Sequence, residues 1–474
     1  MTELNSVDAA LTTRLRDILP PAAFREDMAP YGRELRGSYH GLVGLVVAPG
    51  STEEVARVLA MANEARVPVV PYGGGTGLVA GQVMPEGPAP LVLSLERMTR
   101  IRQILPEENV ITVDAGVPVE AIQQAAAECD RLFPLSFGAQ GTARIGGSLS
   151  TNAGGANVLR YGTTRELCLG LEVALPDGRV MNTLTRLRKD NTGYDLRDLM
   201  IGAEGTLGVI TGAAMKLFPR PTRRATALLV TPSPAAALRL LSLARSHAGE
   251  QITAFELISG MGLRFIESTL PDIRRPFDQA PDWMVLIEIG LFGEADADAM
   301  MEQLFSTAFE AELVSDGIIA QSEAQASGLW QLREAIPEAN RAIGAISSHD
   351  ISLPLSALPE FIEEGRAKLA GMGPYRLNCF GHLGDGNLHY NVFPPEGEAR
   401  ADHLSAKAPV MAMIHDLVAH YGGSFSAEHG VGRLKVADLE RYGDPVKLEL
   451  MRGIKRLFDP MGIMNPGAVL RPEG

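Results

Sequence analysis

Residues 42–78 run through an apolar stretch, a turn, a helical period, a second apolar stretch and a glycine loop. Residues 42–48 form a valine-rich run without alternation, the mark of a strand buried on both faces. Pro49-Gly50-Ser51 turns the chain. Ser51 or Thr52 then caps a helix with Glu53 and Glu54 in its first turn, where the helix dipole favours acids. Val55, Val58, Leu59 and Ala62 carry the helical period. Residues 67–71 form a second strand and lead into Tyr72-Gly73-Gly74-Gly75-Thr76-Gly77-Leu78. Strand, helix, strand is the βαβ unit of a layered α and β domain.

Further strands are expected at 91–95, 110–115 and 171–175, with a helix at 119–128. Phe218-Pro219-Arg220-Pro221 is proline-punctuated and marks a boundary. Beyond it, strand-like runs (225–230, 284–289) alternate with alanine-rich helices (235–248, 295–309), as in a second domain with an antiparallel sheet. The last forty-five residues read as mostly helical. A chain of 474 residues exceeds one compact core, so two or three domains are expected.

Composition removes several function classes. Forty-three basic against fifty-seven acidic side chains give a net charge of −14. That disfavours a general nucleic-acid or anionic-membrane binder, although Arg186, Arg188 and Lys189 suit a small anion. Cys129, Cys168 and Cys379 are too scattered for a zinc or disulfide framework, which fits a reducing, cytoplasmic setting with the thiols buried. No apolar run of about 18 residues predicts a membrane span, and residues 1–8 lack a secretory pattern.

Gly73-Gly74-Gly75-Thr76-Gly77 lets backbone amides approach an anion closely, but it is neither a dinucleotide-binding nor a P-loop pattern. Residues 138–162 are rich in glycine, serine, threonine and asparagine, punctuated by Ile145, Leu149, Val158 and Leu159. That mixture can wrap a large polar cofactor while anchored to a core. Residues 201–210 form a third such segment.

Gly381-His382-Leu383-Gly384-Asp385-Gly386-Asn387-Leu388-His389 places two of nine histidines around a glycine turn. Asp385-Gly386 suits a type I′ hairpin turn, which needs positive φ at both central residues. With strands at 375–380 and 388–393, that turn sets His382 directly opposite His389. Opposed Cβ atoms lie about 4.5–5.5 Å apart, which suits two imidazoles on one ion, and Asn391 follows on the same face. The spacing equally suits a turn whose histidines bond only to backbone. Glu428 and His429, in Ser426-Ala427-Glu428-His429-Gly430, are a further candidate pair.

Taken together, residues 71–78, 146–162 and 202–211 resemble the flavin-binding loops of the vanillyl-alcohol-oxidase-like FAD-linked oxidoreductases, with the resemblance extending over about residues 40–470. The 381–391 loop with 426–430 further resembles the branch that oxidises D-2-hydroxy acids, among them D-lactate dehydrogenases, glycolate oxidase subunits and D-2-hydroxyglutarate dehydrogenases. The resemblance implies an α+β fold. An FAD-binding domain at 1–221 would precede a ferredoxin-like antiparallel-sheet cap at 222–425, and a C-terminal helical segment at 426–474 would return to the FAD domain.

It implies non-covalent FAD, because 71–81 and 138–162 hold no histidine for covalent attachment. Pro71, Gly73, Gly74, Gly75, Thr76, Gly77 and Leu78 would hold the pyrophosphate, with Gly81 beside them. Ser136, Gly141, Thr142, Gly146, Gly147, Ser150, Thr151, Asn152, Gly154, Gly155, Tyr161 and Gly162 would line the flavin. Glu204, Gly208 and Ile210 would lie near its adenosine end, and Asn465 would return towards it.

The resemblance also makes His382, His389 and Glu428 ligands of one divalent metal. Zinc is the first expectation, although manganese, iron and cobalt suit the same donors. His429 would be the catalytic base, Arg333 would hold the substrate carboxylate and Asn391 would line the pocket. His40, His349 and His415 read as structural. Two positions depart from the hydroxyglutarate enzymes: Pro337 replaces a substrate-binding threonine and Ser348 a carboxylate-binding lysine. Losing that cation weakens the case for a dicarboxylate.

The implied activity is FAD-dependent, metal-assisted oxidation of a D-2-hydroxy acid, such as D-2-hydroxyglutarate, D-lactate or D-malate, to the 2-oxo acid. Electrons would pass to an electron-transfer flavoprotein, a quinone or a cytochrome, and a symmetric dimer is the default assembly. The alternatives are a flavin-containing subunit of a glycolate oxidase complex and a non-redox flavoprotein of the alkyl-glycerone-phosphate synthase type.

Overall fold

The computed structural model describes residues 3–35, 37 and 39–472. They fall into two compact units: Met1–Gly154 with Gly162–Pro219 and Glu428–Gly474, and Gly155–Tyr161 with Arg220–Ala427.

The first unit holds the expected βαβ. Leu45–Val47 and Val69–Tyr72 flank Leu91–Ser94 in a parallel three-stranded sheet. The first strand is shorter than expected, and Leu42 commits its N–H to the Met84 carbonyl. Helix Thr52–Ala65 begins at Ser51, whose side chain accepts from the Glu54 N–H at 3.2 Å, and stops at Arg66 with φ 54°. A second, antiparallel sheet runs in the order Ile101–Leu105, Val110–Asp114, Val209–Lys216, Cys168–Ala174, Val180–Thr183. Helix Val119–Glu128 stands where the period predicts it. The C-terminal helices Val436–Tyr442 and Pro445–Phe458 belong to this unit. Its tail docks along the parallel sheet, with the Val69 N–H donating to Ile463 and the Asn465 N–H to Val69.

The second unit is built on one antiparallel sheet of seven strands. In spatial order they are Asp316–Ile319, Arg223–Val230, Trp283–Leu291, Ile252–Ser259, Arg376–His382, Asn387–Phe393 and Ser347–Ser352. The first four strands in sequence lie in the order 4-1-3-2, and Pro234–Ala248 and Ala297–Glu310 are their crossover helices. That is the ferredoxin-like arrangement, here extended by three strands. Side chains alternate across the sheet. Leu229, Leu257 and Val285 face the crossover helices. Leu228, Ile258, Met284 and Phe380 face Gly260–Thr269 and Glu323–Ile343. The latter helix runs through Pro337, which has no N–H to give the Arg333 carbonyl.

Cys168 and Cys379 are buried and their thiols are pushed up to about 12 by desolvation, whereas Cys129 is partly exposed. No helix among the described residues is long and apolar enough to cross a membrane.

Candidate active site

On the face of the seven-stranded sheet that carries Phe380, apolar packing gives way to a buried polar cluster. Glu256 sits in the otherwise apolar strand Ile252–Ser259, directly across from His382. An ionised carboxylate only accepts hydrogen bonds. The 2.6 Å contact between Glu256 Oε1 and His382 Nδ1 is therefore donated by Nδ1–H, which in the neutral ring leaves the lone pair on Nε2. Arg333, on Glu323–Ile343, donates to Glu256 Oε2 through Nε at 2.8 Å, and its terminal Nη2 is ion-paired with the same oxygen at 2.7 Å. Its guanidinium carbon lies 4.8 Å from the Phe380 ring centroid. Burial pushes the Glu256 carboxyl up, but His382 and Arg333 outweigh it and draw it down to about 2.

The hairpin differs from its sequence reading. Phe380, not His382, stands opposite His389. The strands are joined by a four-residue turn, 383–386. Gly386 has a φ of 88° while Asp385 is not in the positive-φ region, so the turn is not type I′. The shift of two residues keeps both histidines on one face. They become diagonal neighbours with ring centroids 5.5 Å apart and planes at 81°.

His389 also has an acid directly across from it, Asp350. Nδ1 and Oδ1 are 3.9 Å apart, and Asp350 Oδ1 accepts from Asn387 Nδ2 at 2.9 Å. The Asp350 carbonyl accepts the Ala427 N–H at 3.2 Å. The next residues, Glu428 and His429, open the C-terminal segment of the first unit. Asn391 stands between Asn378 and Ser348 across the ladder. Farther along, His349 and His415 are buried and bonded to each other at 3.1 Å. Sequence reasoning missed Glu256 and Asp350. The available signal for Glu256 was a lone acid within Ile-Thr-Ala-Phe-Glu-Leu-Ile-Ser.

In the first unit the three glycine-rich segments converge through main chain. A Cβ on Gly74 would sit 2.1 Å from the Thr142 carbonyl oxygen, and one on Gly73 3.4 Å from Gly147 Cα. The Gly202 N–H donates to Leu149 at 3.0 Å and the Glu204 N–H to Ser150 at 2.8 Å. Gly205, at φ 71°, leaves no room for a side chain beside Pro71. Gly146 and Gly147 fall within a short helix, Ile145–Thr151, where a Cβ on Gly146 would meet Ala115 at 2.8 Å.

Glu204 is buried, and its carboxylate accepts from the N–H groups of Val431 at 2.7 Å and Gly432 at 2.8 Å. Burial nevertheless raises its carboxyl to about 6. Asn465 Nδ2 donates to Gly81 and Glu204 carbonyls at 3.0 and 2.9 Å. Arg433 donates to the carbonyls of Ala80, Gly81 and Pro466 and to Asn465 Oδ1.

Two family profiles cover most of the chain. One, described as an FAD binding domain, matches residues 43–184, and the other, FAD linked oxidases, C-terminal domain, matches residues 220–469. A D-2-hydroxyglutarate dehydrogenase of Xanthomonas citri pv. viticola is 38% identical over 442 residues, 93% of this chain and 92% of the relative. The chain belongs to the FAD-linked oxidases. A putative D-lactate dehydrogenase of Schizosaccharomyces pombe is 34% identical, covering 93% of this chain and 84% of that one. Among solved structures, p-cresol methylhydroxylase with substrate bound aligns at a TM-score of 0.78 with 16% identity, covering 99% of each chain. The fold is thus the α+β fold of the vanillyl-alcohol-oxidase type.

In this FAD-linked oxidase the residues present suit a large polar cofactor, because the glycines at 73–75, 146–147 and 154–155 carry no side-chain bulk. Arg144, in the second of them, has a buried Nε without a partner in the protein, a donor suited to an anionic or carbonyl-rich group. Pro71 lies in the strand Val69–Tyr72 that leads into the loop at 73–78, in which Gly74 faces Thr142 and Gly73 faces Gly147, while Gly81 and Asn465 meet at Glu204. Gly208 immediately precedes, and Ile210 lies near the start of, the central strand of the five-stranded sheet, where Ile210 is buried opposite Val173. Gly155 and Tyr161 stand instead in the second unit, where neighbouring Leu159 packs on Gly384 and Arg160 donates to the Gly290 carbonyl at 2.8 Å.

Proposed function

We propose that this FAD-linked oxidase is a dehydrogenase that oxidises the C2 hydroxyl of a D-2-hydroxy acid to the 2-oxo acid and hands the electrons to a separate acceptor. The observation that carries this reading is the buried Glu256, holding Arg333 on one oxygen and His382 on the other. A carboxylate-binding guanidinium and an imidazole of fixed tautomer are thereby set side by side. The relatives named D-2-hydroxyglutarate dehydrogenase and D-lactate dehydrogenase support the substrate class.

Bound FAD supplies the hydride acceptor. A divalent metal, zinc in this reading, held by His382, His389 and Glu428, supplies Lewis acidity to the substrate hydroxyl. Two histidines and a carboxylate leave positions open for substrate, and the donor chemistry of His382 Nε2 fits that role. Arg333 has its Nε edge bound to Glu256, so it takes the substrate carboxylate through its terminal nitrogens. Two parallel charged bonds of that kind are beyond a lysine. Asn391 orients the substrate from the neighbouring strand. His429 accepts the hydroxyl proton, while the C2 hydrogen leaves with its electron pair.

Pro337 stands one helical turn from Arg333, and Ser348 stands across from Asn391. Neither brings a cation to the far end of the substrate, so a short or monocarboxylic hydroxy acid suits the pocket. D-2-hydroxyglutarate is the second reading, favoured by the 38% identical relative.

The test is turnover of D-lactate, D-malate, D-2-hydroxyglutarate and glycolate with an artificial dye. At least one D-2-hydroxy acid should be oxidised, and chelation should abolish the rate. Protein that is colourless and cannot be reconstituted with FAD would overturn the reading. Strong preference for D-2-hydroxyglutarate would overturn the specificity argued from Ser348.

A further inference from the structure

We propose that Glu256 is a positioning residue that couples metal binding to substrate-carboxylate binding by fixing the tautomer of His382 and the angle of the Arg333 fork. The proposal rests on the reading above, in which His382 ligates a metal and Arg333 a carboxylate.

Two N–H groups from two elements converge on this one carboxylate. Oε1 takes the His382 Nδ1–H at 2.6 Å, and Oε2 takes the Arg333 Nε–H at 2.8 Å with Nη2 ion-paired to it at 2.7 Å. The side chain is 1% exposed, so water cannot substitute for a lost acceptor. A metal-ligating imidazole must present a lone pair, and an outer carboxylate on its other nitrogen selects that tautomer and orients the ring. A carboxylate-binding arginine must hold its plane still, and the Phe380 ring 4.8 Å away fixes only one direction. Glu256 supplies the in-plane constraint. Because both tasks fall to one carboxylate, the two binding events are linked.

The neighbouring strand provides a contrast. Glu288 lies across from Ala254 and is likewise buried. It accepts from Thr253 Oγ1 at 2.9 Å, Trp330 Nε1 at 2.9 Å and Thr226 Oγ1 at 3.4 Å. These donors are neutral and belong to no candidate ligand. Losing Glu288 measures the cost of removing a buried acid from this sheet without touching the site.

Glu256→Gln replaces two acceptors with one acceptor and one donor. If the amide nitrogen faces His382, Nδ1 must accept, the proton moves to Nε2 and the ligating lone pair is gone. If it faces Arg333, donors confront donors. One partner is lost either way.

The experiment uses the FAD-loaded enzyme. Zn²⁺ affinity is measured by competition with a chromogenic chelator, and kcat and KM are measured with the best D-2-hydroxy acid of the panel. E256Q should weaken Zn²⁺ binding by roughly 10- to 100-fold and raise KM about tenfold or more, with flavin content unchanged. E288Q should move neither quantity by more than about twofold, whatever it does to Tm. E256D retains both acceptors one methylene farther back. It should fall between wild type and E256Q in both readouts, and it serves if E256Q does not fold.

Unchanged Zn²⁺ affinity and KM in E256Q would overturn the proposal, as would equal losses in E288Q. Wild type that binds no Zn²⁺ would overturn the metal reading beneath it. Zn²⁺ binding that is sensitive to H382A but indifferent to E256Q would overturn the positioning role alone.

Discussion

In the first unit, the three glycine-rich segments are held together by main chain: Gly74 lies against the Thr142 carbonyl, Gly73 against Gly147, and the Gly202 and Glu204 amides on Leu149 and Ser150. In the second unit, the polar cluster around Glu256 is made of side chains carried by strands and one helix, with Glu256 taking hydrogen bonds from His382 and Arg333. A surface of backbone is specified by what is missing, so a Cβ added at tight points such as Gly74 and Gly205 obstructs it. A surface of side chains is specified by donor and acceptor identity, so a substitution of equal volume can leave the fold intact and remove the function. In the proposed function, the same contrast separates holding a large cofactor from selecting a small acid.

The sharpest way to break this comparison is Gly74→Val. Its Cβ would meet Thr142 at 2.1 Å, on backbone that cannot move aside. FAD affinity is expected to fall by at least about 100-fold, roughly 3 kcal/mol, as measured by flavin retained after desalting. A yellow variant of ordinary affinity would show that the segments do not cradle the cofactor.

His382→Ala is expected to lower metal content to background, with affinity down by about 100-fold or more, while FAD stays bound. Elemental analysis beside the flavin spectrum separates the two effects. Loss of flavin instead would dissolve the distinction drawn between the units.

Arg333→Lys should raise KM by roughly 10- to 100-fold, because a single ammonium replaces a fork worth about 1.5–3 kcal/mol. Steady-state kinetics on the preferred acid decide this, and an unchanged KM would place the carboxylate elsewhere.

The smallest expected effect belongs to Glu204. Its folded carboxyl lies at about 6, above its ordinary value of 4.5. Between those values the folded state keeps a proton that the unfolded chain releases. Stability should therefore fall as pH rises from about 4.5 to 6, by up to about 2 kcal/mol, and stay level above. Thermal melts across that range should show the slope in wild type and lose it in Glu204→Gln.

Much of the fold is legible in the residues. The period over 119–128 predicts a helix that is present, and the prolines at 219 and 221 sit at the junction of the units. Local signals suffice there because the elements answer to their own side chains. The hairpin register does not. Asp385-Gly386 favours a two-residue turn, yet Gly386 gives its carbonyl to the Leu353 N–H, Gly384 accepts from Arg245 and Leu159 fills the space beside Gly384. Those partners lie far away in sequence and select the longer turn. Glu256 is hidden for the same reason, since its partners stand 77 and 126 positions along the chain. Residues 155–161 look like one continuous glycine-rich stretch with their neighbours, yet pack with the second unit because Leu159 and Arg160 find their partners there.

The central claim is that this flavin takes electrons from a D-2-hydroxy acid. Anaerobic mixing of the FAD-loaded protein with each enantiomer of lactate, malate and 2-hydroxyglutarate tests it without reference to the physiological acceptor. At least one D-isomer should bleach the visible flavin absorbance with one equivalent of 2-oxo acid formed, and its L-isomer should not. Flavin that stays fully oxidised with every D-isomer, or that is reduced equally by the L-series, would contradict the account.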